Sequence, residues 1–156
     1  MSENLHGHLA HLRPVAKQPI VFLTVCTKDR QRVLACPEAH VALTQTWLKA
    51  RDLHGWAVGR YVVMPDHVHL FARAAAESVS LAAWMKSWKS FTARRAKKSG
   101  VAAGPLWQAD YFDRYLRSGE SYSEKWSYVV NNPVRAGLVR RSEEWAFQGE
   151  METFTF

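Results

Sequence analysis

Two histidines separated by one residue, His67-Val68-His69, are the chemically sharpest feature of the chain. On a strand, residues i and i+2 leave the same face, so both imidazoles can reach one metal ion. Imidazole suits transition metals, and two imidazoles with one oxygen ligand and open water positions also suit Mn²⁺ or Mg²⁺. The bland alternative is two unrelated polar positions on a solvent-facing strand. Asp66 precedes the pair, but strict alternation points it to the other face. A third donor must come from elsewhere. Tyr128 and Asn132 stand four apart on a stretch that reads as helix, which sets them on one face. An Asn carbonyl can ligate a hard cation, and Tyr128 beside it would be a nucleophile. The alternative is a Tyr packed under a sheet and an Asn capping a helix.

Other reactive groups carry less. Cys26 and Cys36 lack Cys-x-x-Cys spacing, which argues against a zinc site, and with no export signal read from the sequence a reduced thiol pair is expected. His6, His8 and His11 lie in a polar stretch, residues 1–18, expected to form a loose arm. Lys86, Lys89, Arg94, Arg95, Lys97 and Lys98 crowd into residues 86–98. Such a cluster suits phosphate contacts, which position a nucleic acid without reading its sequence. Base stacking or edge contacts would call on Trp107, Tyr111, Arg114 or the arm.

These residues need elements to hold them. Pro19 to Thr27 is rich in β-branched and aromatic residues on both parities, the pattern of a buried central strand. Pro37 to His54 reads as a helix closed by Gly55. Trp56 to Met64 and His67 to Arg73 read as strands joined at Pro65-Asp66, hence an antiparallel hairpin. Val79 to Lys98 reads as an amphipathic helix capped by Ser78 or Ser80, with Leu81, Trp84, Trp88 and Phe91 as its apolar stripe. Leu106 to Arg117 reads as an edge strand. A last helix starts near Ser121 or Ser123 and stops at Asn132-Pro133. The order β-α-β-β-α-β predicts an α+β, ferredoxin-like core with an antiparallel sheet, followed by an added C-terminal helix.

The 156 residues suit one domain, and 47% apolar content excludes global disorder. Twenty-one Lys and Arg against fourteen Asp and Glu give +7, compatible with a polyanionic partner. Glu143 to Phe156 hold four acids and no Lys or Arg. The expected organisation is an arm at 1–18, a domain at 19–142 and an acidic tail at 143–156. No stretch reads as a membrane span or export signal, so a cytoplasmic protein is expected, nucleoid-associated if its polyanionic partner is DNA.

Three stretches together resemble a known family: FLTVCTKDR at 22–30, YVVMPDHVHLF at 61–71, and LWQADYFDRYLRSGESYSEKWSYVVNNPVRAGLV at 106–139. In this order they resemble the REP-associated tyrosine transposases, a branch of the single-tyrosine HUH nucleases. The resemblance implies a ferredoxin-like core, a divalent cation (Mg²⁺ or Mn²⁺), and cutting of single-stranded DNA near small imperfect hairpins. It sets the paired histidines on His67 and His69, the nucleophile on Tyr128, with Tyr122 as runner-up, and the third metal ligand on Asn132. It implies a 5′-phosphotyrosine intermediate that can be rejoined to another 3′-OH. Relatives act as monomers or homodimers. The alternative functions are a domesticated protein that holds structured single-stranded DNA or RNA without cutting, and a metal-dependent phosphoesterase with a water nucleophile.

Overall fold

A computed structural model describes residues 18–156; apart from Gln18, the expected N-terminal arm lies outside the described residues. The first strand, β1 (Ile20–Cys26), is buried along almost its whole length, as its apolar run on both parities requires. Pro37 opens α1 (Pro37–Leu48), and a short α2 (Ala50–His54) follows. The single helix expected over 37–54 is thus interrupted at Lys49, and Ala50 beyond the break is buried. Gly55 adopts φ 74°, the left-handed conformation that closes a helix. The hairpin strands are β2 (Trp56–Val63) and β3 (His67–Ala74). Ser80 caps α3 (Leu81–Lys98), accepting from the Ala83 N–H at 3.1 Å.

The edge strand β4 (Phe112–Tyr115) is shorter than the expected span and leads to α4 (Gly119–Val129). This helix starts earlier than expected because Ser118 accepts from the Ser121 N–H at 3.2 Å. It also ends earlier. Pro133 has no N–H to give the Val129 carbonyl, so the chain breaks after Val129 and restarts as α5 (Asn132–Arg135), where proline is tolerated in the first turn. A fifth strand, β5 (Gln148–Glu150), follows.

The sheet is antiparallel with order β4-β1-β3-β2-β5. Its first four strands form the expected ferredoxin-like core. Each face carries its own helices. On one, Val21, Leu23, Val25, Val63, Val68 and Leu70 pack under α1 and α3, together with Trp47, Trp84 and Trp88. Trp84 stacks on Trp56 with centroids 5.2 Å apart. Phe91, expected in this stripe, is instead 43% exposed. On the other face, Ile20, Phe22, Val62 and Phe71 pack under Tyr122 and Val129 of α4.

The acidic segment 143–156 is integral to the domain, contrary to the expected separate tail. β5 pairs with β2, the Trp145 indole donates to the Val63 carbonyl at 3.0 Å, and Phe154 packs near Tyr122. Its acids are also occupied: Glu150 pairs with Arg60, Glu152 with Arg51, and Glu144 with Arg141. A β-bulge between Val58 and Tyr61 admits this segment. A Cβ at Gly59 would stand 2.6 Å from the Phe154 ring and 3.0 Å from the Tyr122 hydroxyl. Both cysteines are free, and among the described residues no helix is long and apolar enough to cross a membrane.

Candidate active site

The register pairs His67 with Cys26, His69 with Thr24 and Phe71 with Phe22. Directly paired residues share a face, so both imidazoles lie on the α4 side of the sheet. Their ring centroids are 4.8 Å apart. Each Nδ1 is held. His67 Nδ1 lies 2.8 Å from Asp66 Oδ1, and His69 Nδ1 lies 2.9 Å from Thr24 Oγ1. His69 also stacks on Phe22 at 5.3 Å. Burial pushes its pKa down to about 3, reinforced by the positive fields of His67, Lys125 and Arg135, so it is neutral at neutral pH.

Asp66 corrects the alternation argument, which had turned it away from the histidines. It occupies the hairpin turn, where period two no longer holds, and its carboxylate accepts from both His67 and Arg30, the latter at 3.0 Å. Burial pushes this carboxyl up, but the two hydrogen bonds outweigh it and hold the pKa below the ordinary value. The Thr27 N–H and hydroxyl both donate to the Asp66 carbonyl, at 2.9 and 3.1 Å. Asp29 and Arg30 both have left-handed backbones, at φ 56° and 52°. That conformation costs a non-glycine residue of order 1–3 kcal/mol, and here it carries the chain through the turn that delivers Arg30 to Asp66.

The two tyrosines of α4 differ sharply. Tyr122 is 4% exposed, packed edge-on to Phe71, with its hydroxyl accepting from the Arg60 N–H at 3.3 Å. Tyr128 is 61% exposed. The Arg135 guanidinium lies 3.9 Å from the Tyr128 ring centroid, and Lys125 Nζ lies 5.9 Å away. Lys125 Nζ also sits 4.7 Å over Phe22, the ring on which His69 stacks. Tyr128 and the histidines therefore share cationic neighbours, although among the described residues no hydrogen bond joins the Tyr128 hydroxyl to either imidazole.

Asn132 departs from its expected position. It opens α5 rather than ending the helix of Tyr128, so the four-residue spacing does not set the two on one helix face. Its Oδ1 accepts from Arg135 Nη2, which also donates to the Tyr128 carbonyl at 2.6 Å. Among the described residues, no three His, Cys, Asp or Glu side chains converge as a metal cage.

The basic helix α3 lies across the sheet from the histidines, and several of its cations are engaged within the fold. Lys89 Nζ donates to the Gln108 and Ala109 carbonyls at 2.7 and 3.1 Å, and burial lowers its pKa. Arg95 donates to Gln45 Oε1 at 2.6 Å and Arg94 to Ser90 at 2.8 Å. Lys86, Lys97 and Lys98 are exposed on that layer. Arg114, paired with Phe22 across the sheet edge, is the expected DNA-binding residue that falls on the histidine face. Arg30, Lys125 and Arg135 join it there and were not singled out from the sequence. Their separation along the chain hid them, whereas the run at 86–98 was conspicuous.

Residues 17–132 match a family model described as Transposase IS200 like. A REP-associated tyrosine transposase of Escherichia coli (strain K12) is 23% identical over 127 residues, covering 81% of this chain and 73% of that protein. A REP-associated tyrosine transposase solved bound to a REP hairpin superposes with a TM-score of 0.69 at 20% identity, over 87% of this chain and 79% of the other. A crystal structure of a candidate transposase from Deinococcus radiodurans R1 gives 0.55 at 25% identity, over 76% and 94%. The family match spans well over half of the sequence and includes the paired histidines, Tyr128 and Asn132: the chain belongs to the IS200-like transposase family.

Proposed function

We propose that the protein cuts and rejoins single-stranded DNA near small hairpins, with Tyr128 as the nucleophile and His67, His69 and Asn132 as ligands for a divalent cation, Mg²⁺ or Mn²⁺. The observation that carries this reading is the pairing of two anchored imidazoles with one exposed tyrosine on the same side of the sheet. Tyr122, the alternative nucleophile, is shut in the core.

The donor set fits a divalent cation. With each Nδ1 engaged, by Asp66 and by Thr24, both Nε2 atoms are available as ligands. Outer partners of this kind fix the tautomer and ring orientation of metal-ligating histidines. Asn132 completes the set only if its Oδ1 leaves Arg135. When bound, the cation polarises the scissile phosphate and offsets the charge that develops on it.

The chain's own groups do the rest. The Tyr128 oxygen attacks phosphorus, a tyrosyl O–P bond forms, and the P–O3′ bond breaks. The departing 3′ oxygen takes up a proton, and the phenolic proton passes to solvent. Arg135 and Lys125 stand beside the Tyr128 ring, where they can meet a phosphate of the bound strand. The tyrosyl ester keeps the phosphodiester bond energy, so attack by another 3′-OH reverses the step without ATP.

Labelled single-stranded DNA carrying an imperfect hairpin tests this on a denaturing gel. A covalent adduct is expected with Mg²⁺ or Mn²⁺ and is lost in Tyr128→Phe. No adduct with the native chain, or an adduct that survives Tyr128→Phe, overturns the assignment. The engagement of Asn132 by Arg135 supports a second reading, a protein that binds hairpin DNA or RNA without cutting. It predicts salt-sensitive binding unaffected by Tyr128→Phe and no adduct on the same gel.

A further inference from the structure

On the helical layer across the sheet from the histidines, α1, α2 and α3 enclose a groove of about 500 Å³. Pockets that bury a ligand run from roughly 300 to 1,000 Å³, so it is large enough to hold anchoring side chains. Its α3 wall follows Trp84, Ser87, Trp88, Phe91 and Arg95, the spacing of one helix face. Trp84 and Trp88 are buried, whereas Phe91, one turn on, is exposed. Leu48 of α1 and Leu53 of α2, on either side of the helix break at Lys49, also line the groove, and each is 66% exposed. Large apolar side chains exposed singly are ordinary. Three that converge on one groove mark a surface that another body covers.

Charge identifies the kind of body. Lys49, Arg94 and Arg95 line the groove, and among the described residues no Asp or Glu does. None of the three has a carboxylate partner among the described residues; Arg95 donates to Gln45 and Arg94 to Ser90 instead. Lys86, Lys97 and Lys98 are exposed on the same helix. A nucleic-acid backbone matches these cations but leaves Leu48 and Leu53 uncovered, since neither offers a ring on which a base can stack. A second copy docking through the same face would set Lys49, Arg94 and Arg95 against themselves. An amphipathic helix with flanking Asp or Glu meets both features. Its apolar anchors at i, i+3, i+4 and i+7 fill the groove, and its carboxylates face the cations, with bidentate pairing open to the arginines.

We infer that this groove docks an acidic amphipathic helix of a partner protein. The groove and the histidines lie on opposite layers, so partner and DNA can be held together, and the assignment does not depend on whether Tyr128 cuts. The basic run at 86–98 thereby gains a use that the candidate active site does not give it.

The probe is a displayed library of helical peptides of about 18 residues, roughly five turns. It offers Leu, Ile, Phe and Trp at i, i+3, i+4 and i+7, and Glu, Lys, Gln and Ser elsewhere. Selection against the full chain is expected to enrich net-acidic members. Synthesised with a fluorophore, these peptides are expected to lose affinity at least about tenfold in Phe91→Gln and in Leu53→Gln, as the loss of an anchoring contact does. Both side chains are exposed, so thermal melts of the variants are expected to match the native chain. Selection against a chain carrying Lys49→Glu and Arg94→Glu, both at exposed positions, is expected to abolish the acidic excess. No enrichment, winners without net negative charge, or winners that bind Phe91→Gln and Leu53→Gln as tightly as the native chain overturn the proposal. Displacement of a winning peptide by excess hairpin DNA also overturns it and makes the groove a nucleic-acid surface. A dimer in sedimentation that Phe91→Gln dissociates overturns it too and gives the groove to a second copy.

Discussion

Replacing Asp66 by Asn leaves the shape of the hairpin turn and removes the charge that orients His67. The carboxylate accepts from His67 Nδ1 at 2.8 Å and from Arg30 Nε at 3.0 Å. An amide has one acceptor for these two donors. If its NH₂ faces His67, it favours the tautomer with hydrogen on Nε2, the atom proposed to ligate. The turn stays tied down, because the Thr27 bonds run to the Asp66 backbone. The Arg30 side chain is 54% exposed, so losing its ion pair costs the metal-free chain no more than about 1 kcal/mol. The effect on metal binding is larger. Removing an outer partner of a ligating histidine typically weakens affinity by about 10–100-fold. At a Mn²⁺ concentration 100 times the native Kd, binding stabilises the native chain by about 2.7 kcal/mol. For a domain of this size that raises Tm by roughly 5–10 °C. If Asp66→Asn weakens Kd 100-fold, the same Mn²⁺ contributes only about 0.4 kcal/mol and a rise of roughly 1 °C. Thermal melts across a Mn²⁺ titration read this directly, with His67→Ala as the variant lacking a ligand. A Mn²⁺-induced rise that persists unchanged in Asp66→Asn, or is absent from the native chain at millimolar Mn²⁺, refutes the reasoning.

Other perturbations separate the parts of the fold. Gly59→Ala drives a methyl into Phe154 and the Tyr122 hydroxyl, and is expected to cost about 1–3 kcal/mol in denaturant unfolding. A variant as stable as the native chain would show that 143–156 does not rest on the bulge. Lys125→Gln is expected to lower the slope of log binding constant against log salt for single-stranded DNA by about 0.7, whereas Lys98→Gln on the opposite layer leaves it unchanged. Equal effects would place DNA on the α3 layer too. Burial lowers the pKa of His40, so the folded chain disfavours its protonation. Stability supplied by keeping His40 neutral is therefore present above the unfolded value near ~6.5 and is lost as pH falls below it toward the lower folded value. His40→Asn is expected to flatten that fall in melts between pH 7 and 5, and an unaltered pH profile would count against it.

The elements were legible where one physical rule governed them. Apolar runs on both parities marked β1, the turn at Pro65-Asp66 marked the hairpin, and Ser80 and Gly55 marked helix ends. Rules failed where tertiary partners decide. Alternation cannot describe Asp66, because a turn residue has no strand parity and only the approach of Arg30 and Thr27 fixes its direction. Helical spacing misplaced Asn132 relative to Tyr128, since the N–H missing at Pro133 breaks the ladder several residues upstream of the proline itself. Thr24 was invisible as a partner of His69 until the register of β1 against β3 was known. The acidic composition of 143–156 marked it off as a separate tail, yet its acids meet Arg51, Arg60 and Arg141, and its aromatics pack against the domain.

Charge shows the same limit. The densest run of cations in the sequence, residues 86–98, lies on α3, where the amphipathic stripe of Trp84 and Trp88 commits the helix to the face opposite the histidines. A helix buries one stripe and can grip a polyanion only with the remainder, so density along the chain says little about proximity to a site. The cations near His69 come from distant places: Arg30 from the turn after β1, Arg114 from the edge strand, and Lys125 and Arg135 from the C-terminal helices. Burial and the fields of His67, Lys125 and Arg135 keep His69 neutral, the state in which an imidazole can accept a metal. Lys125 and Arg135 can thus both attract a phosphate backbone and preserve a ligand, which ties DNA affinity and metal binding to a common electrostatic cause.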